Sequence, residues 1–144
     1  MHPIALVIRY IRGAVREGWL TKQGGRIKTW KRRWVVLAAG GVLYYFDNKR
    51  AAAPKGVVPL EDIVVRSSVE RSFAFSLSHS EAEGGRIKSA KALKSGSSSG
   101  SLIQGRHATF VFAAESDAER QRWIRALKKE ARTSSMCDKP EIHA

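Results

Sequence analysis

Two periodicities divide the chain. From Gly18 to Ala113 the apolar residues fall in short runs with strand-like alternation, broken by glycine, proline and small polar residues. Trp19-Leu20-Thr21-Lys22 opens this region and leads into a tight turn at Gln23-Gly24-Gly25. The following run, Ile27 to Leu37, is rich in aromatic and β-branched residues and stops at Ala38-Ala39-Gly40-Gly41. Val42 to Phe46 predicts a third strand, Gly56 to Leu60 and Ile63 to Val65 further short ones, and Phe73 to Leu77 a half-buried one. Asp47 to Pro54 reads as a loop. Thr109 to Ala113 is the last strand.

Beyond it the period lengthens. Ser116 and Glu119 have the spacing of a capping box, and the helix it starts runs to about Arg132. Ala118, Trp123, Ile124, Ala126 and Leu127 form its apolar stripe, and Lys128, Lys129 and Arg132 suit the negative end of its dipole. Many short strands closed by one amphipathic helix predict a mainly β fold: a bent antiparallel sandwich or barrel with the helix plugging one end. The other end is left open for a site built from loops.

Three segments lie outside this pattern. Residues 1–15 are an N-terminal extension in which Ile4, Ile8, Ile11 and Val15 have helical spacing; a packing extension and a targeting segment both fit it. Residues 78–106 form a long insertion rich in Ser, Gly and Lys with no core-forming pattern, read as flexible, and 133–144 read as a disordered tail. The domain proper is 16–132.

Charge narrows the partner. The 26 Lys and Arg against 13 Asp and Glu give a formal net charge of +13, of which residues 1–66 carry +9. Nucleic acid, an acidic membrane and an acidic protein all fit that excess. Cys137 is the only cysteine, so an internal disulfide and a multi-thiolate metal site are excluded and a cytoplasmic setting is expected. No apolar run has the roughly 18 residues of a membrane span, so membrane contact is expected to be peripheral.

Lys22, Arg26, Lys28, Lys31, Arg32 and Arg33 follow one another without an intervening acid. Strand alternation puts Leu20 and Lys22 on one side, and Lys31, Arg33, Val35 and Leu37 on one side of the next strand. Each strand thereby buries apolar residues at one end and offers cations at the other, so Lys22, Lys31 and Arg33 converge. Arginine holds a phosphate through two parallel hydrogen bonds and lysine acts as a mobile point charge, a mixture that suits a polyphosphate. A solvated basic hairpin is the alternative reading of the same run.

The stretch Arg16 to Trp34, with Gly18-Trp19-Leu20-Thr21-Lys22 and Lys31-Arg32-Arg33-Trp34 at its ends, resembles the opening hairpin of pleckstrin-homology (PH) domains, those of the cytohesin Arf exchange factors above all. Leu43-Tyr44-Tyr45-Phe46, Pro54-Lys55-Gly56-Val57-Val58-Pro59-Leu60-Glu61 and the helix with Trp123 continue the resemblance over about residues 16–131. It implies a PH-like bent seven-stranded antiparallel sandwich capped by one C-terminal helix, with a phosphoinositide head group bound at the open end. By matching motif, Lys22 and Arg33 would grip phosphates, Arg26 and Lys28 on the first loop add contacts or touch lipid, and Tyr45 donate its hydroxyl, beside the Lys31 that alternation brings to the same place. Lys55 occupies a position that resembles an arginine position of cytohesins, keeping the charge without the fork. The long insertion matches the place of a cytohesin hairpin, which makes Lys91, Arg106 and His107 candidates there, Arg106 standing for an asparagine.

The implied function is a monomeric membrane-recruitment module for phosphoinositides, of the 3-phosphorylated kind, cytoplasmic and reversibly recruited to plasma membrane or endomembranes. The alternative is a PH-fold scaffold for an acidic protein partner. Nucleic acid is not expected, because the cations cluster about a turn instead of tracking a groove. Neither is catalysis or a cofactor: His2, His79, His107 and His143 lack metal spacing, and no phosphate-binding loop or nucleophile elbow occurs.

Overall fold

A computed structural model describes residues 13–25, 27–80 and 109–131 together with the strand backbones of 87–92 and 102–107. Among the described residues nine strands and one helix follow in chain order: β1 (Ala14–Gln23), β2 (Trp30–Ala38), β3 (Val42–Phe46), β4 (Gly56–Pro59), β5 (Ile63–Ser68), β6 (Ala74–His79), β7 (Ile87–Ala92), β8 (Leu102–His107), β9 (Thr109–Ala113) and α1 (Asp117–Glu130). Every neighbouring pair is antiparallel, in the order β5-β6-β9-β1-β2-β3-β4-β7-β8. The expected seven strands of the bent sandwich are β1 to β6 and β9. The β7–β8 pair, lying inside the long insertion, adds a hairpin to the free edge of β4 through Gly56↔Lys91 and Val57↔Ala90.

Alternation decides what each strand buries. On the inner face Leu20, Val35, Leu37, Leu43, Tyr45 and Val58 meet Phe75, Leu77, Phe110 and Phe112 of the opposing layer. Trp123, Ile124 and Leu127 of α1 complete this core, with Trp123 only 1% exposed. Emptying a site that size typically costs about 3–5 kcal/mol, so the helix is a structural plug.

The helix starts where the sequence predicts. Ser116 is extended (φ −155°, ψ 165°), and its hydroxyl accepts the Glu119 amide at 3.1 Å. Only that half of the capping box forms. The Glu119 carboxylate instead accepts from Arg16 at 2.6 Å and Arg122 at 2.9 Å, and the Arg16 hydrogen bond is the main reason it stays ionised to lower pH than usual. Ala118 is exposed and leaves the predicted stripe, and the last helical residue is Glu130.

Two contacts fix the closed end. Arg16 lies 5.4 Å above the Trp123 ring, and the Gly40 amide donates to Glu130 Oε1 at 3.1 Å. Gly41 has φ +88°, and a Cβ there would stand 2.7 Å from the Glu130 carbonyl oxygen, so a bare backbone is what lets the β2–β3 turn touch the helix end. At the N-terminus β1 begins at Ala14, so Val15 belongs to a strand and not to a helical face; the remainder of the basic extension lies outside the described residues.

Candidate functional site

The β1–β2 turn differs from the tight turn that Gln23-Gly24-Gly25 predicts. It occupies residues 24–29, closed by Gly24 N donating to Thr29 O at 2.6 Å and Thr29 N to Ile27 O at 2.7 Å. A Cβ at Gly24 would collide with the Ile27 carbonyl, which is why glycine sits there. The longer turn moves the start of β2 from Ile27 to Trp30 and leaves Lys28 exposed within it. Arg26 lies outside the described residues.

Register then sorts the cations. Leu20 pairs with Arg33 and Lys22 with Lys31, Val35 pairs with Tyr45, and Tyr45 with Gly56. Directly paired residues share a face, so Lys22, Lys31, Arg33 and Tyr45 belong to the inner face with Leu20 and Val35. Lys22 and Arg33 are therefore on the same side of the sheet. They stand just beyond the last buried residues, at the end opposite α1.

Side chains close the arrangement. Lys22 Nζ lies 4.8 Å from the centre of the Tyr45 ring and 5.2 Å from that of Phe110, and donates to the Gln23 carbonyl at 3.3 Å. Arg33, 15% exposed, reaches Asp47 Oδ1 with Nη1 at 3.0 Å and the Arg32 carbonyl at 3.4 Å. Lys55 Nζ takes the other oxygen of the same carboxylate at 3.5 Å. Burial raises the Tyr45 hydroxyl above its ordinary pKa of 10.0 while the nearby Arg33 charge pulls it partway back, so the phenol keeps its proton at neutral pH and can donate it. Lys31 is exposed at the rim.

The hairpin candidates are placed by backbone alone. Lys91 pairs with Gly56 and so extends the Val35–Tyr45–Gly56 rung; Arg106 pairs with Lys88 and His107 with Ile87, near the other end of β7. Sequence reasoning missed two residues of this site. Asp47 is the only acid between Gly18 and Leu60, and that isolation in a basic stretch is the signal that could have found it. Gly56 carries the Tyr45 ring directly over its Cα, where any Cβ would overlap the ring and hydroxyl.

The even-numbered residues of β2 face outward and hold a second population of cations. Trp19 and Trp34 meet edge to face at 5.4 Å, with Arg32 4.2 Å above Trp19, Lys49 5.1 Å above Trp34 and Arg71 5.0 Å above Trp30. Trp30 packs on Ala74, Val111 and Ala113 of the outer face. Packing is thus the use of Trp30 and Trp34, on the outside of the sheet and not within the sandwich, because the even register turns them away from the core. Beside Trp34 a cleft of about 220 Å³ is lined by Glu17, Val36, Phe46 and Lys49 among others.

Among the described residues no group of three or more His, Cys, Asp and Glu side chains could hold a metal ion, and no helix is long and apolar enough to cross a membrane. What the inner constellation can do is hold an anion: among the described residues Lys22, Arg33 and Lys55 supply cations, Tyr45 a phenol donor, and Asp47 a carboxylate that already bridges two of them.

Known proteins resemble this chain over most of its length. The PH domain family matches residues 14–132, beginning at the first residue of β1. An ankyrin repeat, PH and SEC7 domain containing protein of Dictyostelium discoideum is 42% identical over 113 residues, 78% of this chain and 11% of that protein. Human cytohesin-4 is 36% identical over 115 residues, 78% of this chain and 28% of that protein. The chain thus spans less than a third of these relatives. Among solved structures, the C-terminal PH domain of pleckstrin in complex with D-myo-Ins(1,2,3,4,5)P5 aligns with a TM-score of 0.59 at 26% identity, covering 83% of this chain and 99% of that one. The ORP8 PH domain aligns with a TM-score of 0.62 at 26% identity, covering 83% and 98%. The bent sheet, its helical plug and the family match from Ala14 onward lead to one conclusion: the chain belongs to the PH domain family, with cytohesins among its relatives.

Proposed function

We propose that this domain is a membrane-recruitment module that binds phosphoinositide head groups, of the 3-phosphorylated kind, at its open end. One observation carries the reading: from three different segments, Lys22 lies over the buried Tyr45 ring, the Arg33 charge acts on its hydroxyl, and Lys55 shares with Arg33 the Asp47 carboxylate. Lys22 and Arg33 take phosphates, Tyr45 donates its hydroxyl, and Lys55 adds charge from the start of β4. The exposed Lys28 and Lys31 meet the anionic surface from the hairpin, and Arg26 adds its charge to theirs. Lys91, Arg106 and His107 contribute from β7 and β8. The pleckstrin domain solved with an inositol pentakisphosphate supports an inositol polyphosphate as the ligand class.

Recruitment has two stages. The net charge of +13 draws the domain to an anionic leaflet, with about 1 kcal/mol per basic residue near the surface, and the inner constellation then selects the head group. The domain acts by binding, without catalysis or a cofactor, as a cytoplasmic protein that returns to solution when the lipid is consumed.

Sedimentation with vesicles carrying each phosphoinositide in turn tests this. Arg33→Ala removes a charged partner of the ligand, a loss of at least 2 kcal/mol by analogy with charge pairs at interfaces, or about 30-fold in affinity. Lys22→Ala has the same direction. Binding by both variants at the native level, with unchanged unfolding midpoints, would refute the site. A second reading, an acidic protein partner, is favoured by the outward cations stacked on Trp19, Trp30 and Trp34. Soluble inositol polyphosphate displaces a lipid from the inner site and leaves a protein on the outer face in place.

A further inference from the structure

We propose that Asp47 is a built-in competitor for the head group: its carboxylate occupies the place a phosphate takes on Arg33 and Lys55, and ligand binding is an exchange of one anion for another. This rests on the anion-binding reading above and adds a residue to it that sets affinity from within the site.

The geometry points this way in three respects. First, the carboxylate spans two cations, with Oδ1 3.0 Å from Arg33 Nη1 and Oδ2 3.5 Å from Lys55 Nζ. A phosphate offers the same pair of acceptor oxygens to the same donors. Second, the anion is the outermost member of the trio: Asp47 is 53% exposed, Lys55 34% and Arg33 15%. The carboxylate is therefore the member of the trio most open to solvent, and a competing anion can reach and displace it. Third, Asp47 directly follows Phe46, the last residue of β3, which ties it to the strand that carries Tyr45.

Physical chemistry turns this placement into a function. A phosphate placed on Arg33 Nη1 and Lys55 Nζ stands where the Asp47 carboxylate stands, and like charges a few ångströms apart repel strongly at the effective dielectric of a protein surface. A head group must break the Asp47 pair and push the carboxylate aside. That requirement falls only on ligands that place a phosphate on Arg33. Diffuse attraction to an anionic leaflet is spared, since it does not enter the site. Because the displaced pair is partly exposed, the effect is moderate: removing the charge tightens binding about 5-fold, in the range measured for exposed ion pairs and rim charges.

The experiment compares the native chain with Asp47→Asn, Asp47→Glu and Arg33→Ala. Affinity for inositol 1,3,4,5-tetrakisphosphate is measured by calorimetry, and affinity for two kinds of vesicle by sedimentation. One vesicle carries phosphatidylserine alone; the other adds the matching phosphoinositide. All are run at about 0.3 M salt, where long-range terms are screened. The expected result is a gain of about 5-fold for Asp47→Asn with both the soluble and the membrane-borne head group, less than about 2-fold with phosphatidylserine alone, and native affinity for Asp47→Glu. Equal or weaker head-group binding by Asp47→Asn, while Arg33→Ala abolishes it, overturns the competitor role and makes Asp47 a support for Arg33. An equal gain on phosphatidylserine alone, or a gain by Asp47→Glu, overturns it as well. If the native chain binds neither the soluble nor the membrane-borne head group, or Arg33→Ala binds like the native chain, the anion site itself is refuted and the competitor role with it.

Discussion

Replacing Gly56 by alanine tests the link between the sheet and the site. Gly56 pairs with Tyr45, and the added methyl would occupy the space of the ring edge and hydroxyl. The ring must swing away or the two strands must part. Overpacking of this kind costs about 1–3 kcal/mol. Lifting the ring from beneath the Lys22 ammonium, 4.8 Å from its centre, forfeits roughly another 1 kcal/mol. Together the substitution should destabilise the domain by about 2–4 kcal/mol, less the roughly 0.5–1 kcal/mol that alanine recovers over glycine in a strand. Urea unfolding of the single variant, of Tyr45→Leu and of the double variant closes a double-mutant cycle. With the ring gone, Gly56→Ala should be neutral or slightly stabilising, giving a coupling of about 2 kcal/mol or more. An equal loss in both backgrounds would show that the methyl is opposed by something other than the ring, and the account of Gly56 would fall.

Three further outcomes are expected. Burial raises the hydroxyl pKa of both Tyr44 and Tyr45 above 10.0, so the fold favours their neutral forms and the unfolded chain loses those protons first. Stability is then full below pH 10.0 and falls as pH rises through the folded values, which thermal unfolding across an alkaline series can follow; Arg33→Ala should raise the Tyr45 titration, read by tyrosinate absorbance, still further. Gly41→Ala, at φ +88° and against the Glu130 carbonyl, should cost about 2–3 kcal/mol in urea unfolding by combining left-handed strain with a clash, and a loss under about 1 kcal/mol would contradict the described contact.

How far the sequence spoke for itself can be judged residue by residue. Lys22 and Arg33 were legible because two-residue alternation ties each to a buried neighbour, Leu20 and Val35, and the hydrophobic core leaves that register no freedom. The helix and its Ser116 cap were legible because the side chain that starts it lies three positions from the amide it accepts. The length of the β1–β2 turn was not, since it depends on Thr29 closing back onto Gly24 and not on which residues favour turns. Glu119 shows the same limit: local spacing assigns it to its own cap, while the fold brings Arg16 to it from 103 positions away. Gly56 meets the Tyr45 ring only when β3 and β4 are side by side, so nothing in its immediate neighbours announces it; Asp47 stands out as the lone acid of a basic stretch, but its two cationic partners are set by the fold. Lys55 was found through family resemblance alone, by position and not by pattern.

The pleat of β1 also works as a ruler. Leu20 in the core and Lys22 at the rim are two steps of about 3.3 Å apart on the same side, with Thr21 between them turned outward. Deleting one residue between them would not merely shorten the reach of the ammonium. It would hand the lysine to the indole-covered exterior and bring a different residue to the mouth of the barrel. Charge-preserving exchanges at Lys22 are therefore far safer for an engineer than any change in the length of that strand.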